Sequence, residues 1–192
     1  MTLDPIIAQR SELRKKALEL RDGIPADIRD AYSQLIRKKT VEFLESISAR
    51  FVHSYIGFRS EVVTKGIIED LLERGINLVV PVVRQEKMVH SLLEDLDQLC
   101  PGNFGVPEPV NVKEISLTGL DAVIIPVVAF DGFGMRLGYG KGYYDRFLTE
   151  LPSKVRRIGL AFSNQEMDII PIMSHDQLMN ITITEQSTFF FK

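Results

Sequence analysis

Between Asp121 and Asp131 the chain carries no polar side chain: DAVIIPVVAF is its most apolar run. A strand with one wet face alternates apolar and polar residues. An unbroken run fits a strand covered on both faces, as in a parallel sheet packed by helices. Parallel neighbours need long crossovers, usually helical and right-handed. The run therefore predicts an α/β fold: an open, mostly parallel sheet flanked by helices, a Rossmann-like three-layer arrangement.

The flanking sequence supplies the helices and the other strands. Asp4 is a helix cap and Pro5 suits a first helical position, so IIAQRSELRKKALELR predicts a helix stopped by Gly23. A second helix is expected from Pro25 through IRDAYSQLIRKKTVEFLESI. FVHSYIGF reads as a strand, TKGIIEDLLERG as a helix ending at Gly75, and NLVVPVV as a strand. Pro81 places that strand at an edge or marks its end. KMVHSLL is a further strand candidate, and CPGNFGVPEPV, punctuated by Gly and Pro, is expected to be a loop. YYDRFLTEL predicts a helix; RIGLAF, NITITE and TFFFK predict strands.

The whole chain, residues 1–192, is expected to form one domain. Its net charge of −3, spread along the length, argues against a general nucleic-acid grip. A single cysteine, Cys100, rules out an internal disulfide and suggests a reducing cytoplasm. MTLDPIIAQRSEL lacks the apolar run of a secretion signal, and no stretch is long and apolar enough to span a bilayer.

The densest chemistry lies in RLGYGKGYYDRF, between the apolar run and the YYDRFLTEL helix. Ligands of open α/β sheets bind outside the carboxyl ends of the strands. Glycines let backbone N–H groups approach an anion, the following helix offers its N-terminal end, and Arg136 and Lys141 add full charges. Asp145 is placed where a carboxylate meets Mg²⁺ against phosphate oxygens. Alone, Gly-x-Gly-x-Gly is more often a plain turn with a solvated lysine. The P-loop spacing fails, because Met135 stands where its first glycine belongs, and Gly-x-Gly-x-x-Gly fails at Leu137. His53, His90 and His175 are too scattered to suggest zinc.

Taken together, VAFDGFGMRLGYGKGYYDRFL resembles the signature of the 5-formyltetrahydrofolate cyclo-ligase family. The resemblance extends to Arg10, Leu13 and Arg14 in the first helix, to YIGFRSEVVT, to GVPEP, and to GLAFSNQEMDIIPIMSHDQLMNITITE. It implies ATP- and Mg²⁺-dependent closure of 5-formyltetrahydrofolate to 5,10-methenyltetrahydrofolate, with ADP and phosphate released. In that mechanism the γ-phosphoryl group of ATP passes to the formyl oxygen, N10 attacks, and phosphate departs.

The resemblance also implies roles. ATP would be held by Arg10, Ser11, Glu12, Leu13 and Arg14 and by Arg136, Leu137, Gly138, Tyr139, Gly140, Lys141, Gly142, Tyr143 and Tyr144. The folate would meet Ile56, Glu61 and the loop residues Tyr139 through Tyr143, with Phe104 and Pro107 walling the pocket. Lys141 and Tyr143 would be catalytic, and Asp145 and Asp176 would hold Mg²⁺. Arg10 stands where the family usually has lysine, and Asn180 where it often has Asp. Asp131 reads as a turn residue. The expected protein is a cytoplasmic monomer acting on a small molecule, with neither nucleic acid nor membrane as partner. A folate- or nucleotide-storing protein, or another ATP-dependent enzyme on this fold, are the alternatives.

Overall fold

The computed structural model describes residues 4–85, 87–102 and 105–191. In chain order its elements are helices α1 (Pro5–Asp22), α2 (Ala26–Ser46), α3 (Lys65–Glu73) and α4 (Tyr143–Thr149), with strands β1 (Phe51–Ser54), β2 (Asn77–Arg84), β3 (Lys87–Leu93), β4 (Leu99–Pro101), β5 (Pro107–Pro109), β6 (Ala122–Pro126), β7 (Ala129–Phe130), β8 (Arg136–Leu137), β9 (Arg156–Leu160), β10 (Ile181–Ile183) and β11 (Thr188–Phe190). Seven strands form one sheet in the order β11-β10-β9-β6-β1-β2-β3. The five inner strands run parallel, and β3 and β11 close the edges antiparallel. The expected open α/β sheet is present.

Both faces of the sheet are covered. On one, Ile36 and Leu44 of α2 and Ile67, Ile68 and Leu71 of α3 pack on Val52, Leu78, Ile124 and Ile158. On the other, Phe147 and Leu148 of α4 pack on Val123 and Ile125. β6 thus sends alternate residues into two separate cores, which is why its sequence has no polar positions. Asp4 caps α1 through its side chain, accepting from the Ile6 N–H at 2.8 Å.

Four expectations need correction. Pro81 lies inside β2, which is flanked by β1 and β3. It is tolerated because the ladder to β1 ends at His53↔Val79, so at Pro81 only the β3 side is paired. CPGNFGVPEPV is not only loop: Leu99–Pro101 and Pro107–Pro109 pair antiparallel. DAVIIPVVAF is not one strand. It leaves the main sheet at Pro126, and Ala129–Phe130 pair instead with Arg136–Leu137. FVHSYIGF likewise contributes only its first four residues to β1.

Chain order around β1 positions the site. From β1 the chain moves to β2 on one side; β6, β9 and β10 lie on the other. The direction reverses between β1 and β6, which places a crevice beyond their carboxyl ends. Two segments leave the sheet there: 55–64 after β1 and 127–142 after β6. α1 closes this end, with Ala17 and Leu13 packed against Val128, Ala129, Met135 and Leu137.

Beneath α4 lie two packed imidazoles, His53 buried and His90 half-buried. His53, wholly buried, packs edge-on to His90 at 5.2 Å between ring centroids, and both meet Phe147. Among the described residues neither nitrogen of His53 has a hydrogen-bond partner. Burial, then the neighbouring His90, pushes His53 well below its ordinary value of 6.5. The unfolded chain takes up a proton near that value while the native state does not, so stability falls as pH drops below it. The loss is at most about 1.4 kcal/mol per pH unit for one such group. We expect His53→Phe to flatten the fall in melting temperature between pH 7 and pH 5; parallel slopes for variant and wild type would contradict this.

Candidate active site

α1 presents arginines toward the crevice. Arg10, Arg14 and Arg21 lie four and seven residues apart, which keeps them on one stripe of a 3.6-residue helix, with Ala17 between. Arg10 is 5% exposed and forms a forked pair with Asp176, at 2.5 and 2.9 Å, while Nη1 also donates to the Pro171 carbonyl at 2.7 Å. Arg14 Nε donates to the Gly138 carbonyl at 2.9 Å. Arg21 Nε donates to Ser60 Oγ and Nη2 to the Tyr139 hydroxyl, both at 3.0 Å.

The glycine segment crosses this stripe. Gly140 and Gly142 have φ of +93° and +67°, left-handed values that strain any other residue. Gly142 starts α4, whose seven residues make just under two turns. Such a short helix supplies little dipole, so most of the positive field comes from side chains. Lys141 is exposed and, with Gly140, Gly142, Asp145, Arg146, Thr149 and His175, lines an open recess of about 390 Å³. Around it five cations, Arg10, Arg14, Arg136, Lys141 and Arg146, face two carboxylates, Asp145 and Asp176. Burial and then the Arg10 charge lower Arg14 from its ordinary value, while Asp176 and Asp145 act the other way.

Across the crevice, Glu61 stands at the end of the β1 segment, 9% exposed. It accepts from the Tyr139 hydroxyl at 2.9 Å and from the Phe58 N–H at 2.9 Å. Burial raises its carboxyl above the ordinary value, against the pull of those two bonds and of Arg21. Tyr139 is pushed up to about 12, first by burial and then by Glu61. Tyr144 is raised further, chiefly by burial, and its hydroxyl is buried without a partner among the described residues. Tyr143 has the Arg146 guanidinium 5.3 Å from its ring centroid. Ile56 is half-buried against the main core.

Not all of the expected residues gather at the recess. Ser11 and Glu12 are exposed, Leu13 packs in the core under α1, and Leu137 is fully buried. Arg136 is buried and holds the Gln177 carbonyl and Asp145, the latter at 2.8 Å. Asp145 Oδ1 also accepts from the Gln177 N–H at 3.3 Å. Asp176 Oδ2 accepts from the Met173 N–H at 2.7 Å. Burial pushes Asp176 up, but Arg10 and that N–H outweigh it, so its carboxyl lies below the ordinary range. Among the described residues no three His, Cys, Asp or Glu side chains form a metal-binding group. Asp131 ties its own turn, accepting from Phe133, Met135 and Ile170 N–H groups. Asn180 caps β9 by accepting from the Arg157 N–H. Phe104 lies outside the described residues. Pro107 belongs to β5, whose Glu108 is paired with Arg84.

The sequence pattern of the 5-formyltetrahydrofolate cyclo-ligase family matches residues 6–185. The chain belongs to the 5-formyltetrahydrofolate cyclo-ligase family. Members of this family are ATP-dependent ligases, so the chain is an enzyme. It is 28% identical to the 5-formyltetrahydrofolate cyclo-ligase of Mycolicibacterium smegmatis over 91% of this chain and 93% of that one. With the mouse cyclo-ligase it shares 27% identity over 93% and 92%. The fold matches the NMR structure of Aquifex aeolicus 5,10-methenyltetrahydrofolate synthetase with a TM-score of 0.84 at 29% identity, covering 95% of this chain and 93% of that one. A synthetase from Mycoplasma pneumoniae matches at a TM-score of 0.76 and 26% identity, covering 92% and 98%.

In this cyclo-ligase family member, sequence reasoning missed Arg21. The signal was present: it repeats the Arg10 face eleven residues on, three turns of helix later. Arg10 itself ties α1 to the 171–176 segment at the recess. Removing one partner of a buried ion pair leaves the other uncompensated, at a cost of about 3 kcal/mol. Arg10→Ala and Asp176→Ala should each lower stability by that order in urea unfolding, and the double variant by clearly less than the two together. Full additivity would contradict the pairing.

Proposed function

We propose that the chain converts 5-formyltetrahydrofolate to 5,10-methenyltetrahydrofolate, consuming ATP with Mg²⁺ and releasing ADP and phosphate. One observation carries the reading. The glycine segment is bonded at Gly138 to Arg14 and at the next residue, Tyr139, to Glu61, so an anion-suited loop and a pterin-suited carboxylate lie one residue apart. Family membership and the names of the relatives support the same substrate and product.

The residues fit a triphosphate. Gly138, Gly140 and Gly142 leave the backbone of the segment open at alternate positions, a Cβ built on Gly138 would meet nothing within 4 Å, and the flanking cations outnumber the carboxylates. The fit to Mg²⁺ is of the kind in which phosphates supply most ligands. Asp145 is the carboxylate at the recess that would join them, because Asp176 is held on both oxygens by Arg10. Mg²⁺ would neutralise phosphate charge as the γ-group moves.

The chemistry calls for such a site. A formamide oxygen is a poor leaving group, so N10 attack on the formyl carbon stalls. Phosphoryl transfer to that oxygen makes it a phosphate, and N10 can then attack and expel it. The protein has to align two substrates and hold charge. Lys141, exposed on the loop, neutralises the oxygens of the transferring group. Arg14 fixes the loop from below. Glu61 takes paired N–H bonds from the aminopyrimidinone ring, and Tyr143 and Ile56 flank the folate.

Incubation with folinic acid, ATP and Mg²⁺ should give the near-ultraviolet absorbance of the methenyl product, and omission of ATP should abolish it. Lys141→Ala should lower kcat by about 10² to 10³, by analogy with loss of one electrostatic donor, with an unchanged circular dichroism spectrum. Binding without product would point instead to a storage protein, and near-normal turnover in Lys141→Ala would remove that residue from the chemistry.

A further inference from the structure

We propose that Arg21 is a positioning residue for this reaction: by holding the Tyr139 hydroxyl it aims that residue's proton at Glu61 and keeps the carboxylate ready to accept the paired N–H groups of the substrate's ring. The proposal rests on the reading that Glu61 receives the pterin.

The argument starts from an expensive side chain. Arg21 is 3% exposed, and a buried guanidinium is retained only where its donors find acceptors. Nε and Nη2 find theirs in Ser60 Oγ and the Tyr139 hydroxyl oxygen, one from each segment bordering the crevice, while Nη1 is buried without a partner among the described residues. Ser60 in turn donates to Asp22, the residue after Arg21, which also lies 3.9 Å from the Arg21 Nε. The stacking of the guanidinium near the Tyr139 ring, 5.8 Å from its centroid, adds a second hold on the same side chain.

Direction matters in this chain of bonds. A phenolic oxygen carries one proton. Because Tyr139 accepts from Arg21, its own proton goes to Glu61, at 2.9 Å. Glu61 Oε1 takes that proton and Oε2 takes the Phe58 N–H, which uses two of about four lone-pair sites. The remaining two suit an N–H pair from an aminopyrimidinone. They stay available only while the group is ionised, and burial works against ionisation. The groups facing Glu61 are Arg21 from α1, Tyr139 from the glycine segment, Tyr55 from the end of β1 and Tyr144 from α4. Arg21 is the cation in that set, so its charge and its bond to Tyr139 both favour the carboxylate form.

The test compares Arg21→Met and Arg21→Lys with wild type, measuring kcat and KM for each substrate across pH. In Arg21→Met, KM for 5-formyltetrahydrofolate should rise about tenfold or more, as expected for loss of a charge-assisted contact. KM for ATP should change by less than about threefold, and the acid limb of kcat/KM for the folate should move to higher pH, since that limb reports the free enzyme. Arg21→Lys should return the limb toward the wild-type position. A parallel rise in both KM values, or an acid limb that stays in place, would overturn the proposal. If Arg21→Met does not fold, Tyr139→Phe cuts the same link and should move the limb in the same direction; an unmoved limb there would also overturn it. A wild type with no turnover on the folate would defeat the functional reading alone. In that case carbon-13 NMR titration of Glu61 decides, a higher titration point in Arg21→Met supporting the proposal and an unchanged one defeating it.

Discussion

The parallel pairing of β1 with β6 sets everything else. Register Val52↔Ala122 through Ser54↔Ile124 brings two strands side by side that are far apart in sequence. Both end at the same edge of the sheet, so the segments 55–64 and 127–142 must leave it together. Neighbouring strands lie about 4.8 Å apart, which puts any two residues just beyond their ends within reach of one side chain. Tyr139 spans that gap to Glu61. A different strand order would separate the carboxylate from the glycine segment and leave neither with a partner.

α1 turns this crevice into a charged site. Its arginine stripe would be costly in a core, since each guanidinium loses water on burial. Each of the three finds acceptors in segments beyond the helix: Asp176 and Pro171 beyond β9 for Arg10, Gly138 in the glycine segment for Arg14, and Ser60 and Tyr139 on either side of the crevice for Arg21. The helix therefore works as a clasp, its polar bonds to these loops adding to its apolar packing on Val128, Ala129, Met135 and Leu137. The cations this requires are also what a polyphosphate needs, so under the proposed function the stability of the loops and their grip on an anion would come from the same side chains.

Much of this was legible in the residues. The unbroken apolar run forced a strand covered on two faces, and the alternation of strands and helices around it led to the parallel sheet. The glycine segment and Glu61 were picked out, and the structure brings them together. What could not be read depended on long-range partners. Pro81 inside β2 is acceptable only because β1 is short, which is a property of a strand that ends at Ser54, far back in the chain. The β4–β5 pair depends on Gly105 turning with φ of +80° against the Phe58 ring, a contact that local pattern does not encode. Arg136 carries the same charge as Arg14, yet it is buried with Asp145 and Gln177, because β8 turns its side chain inward. Arg21 went unnoticed for the opposite reason: an arginine near the end of a helix reads as a favourable dipole partner until its burial is seen.

The most direct measurement is a crystal structure of the chain soaked with a non-hydrolysable ATP analogue and 5-formyltetrahydrofolate. Phosphate oxygens within hydrogen-bond distance of the 138–142 amides and Arg14, with the pterin ring against Glu61, are the predicted result. A nucleotide bound elsewhere, with the glycine segment facing bulk solvent, would contradict the account.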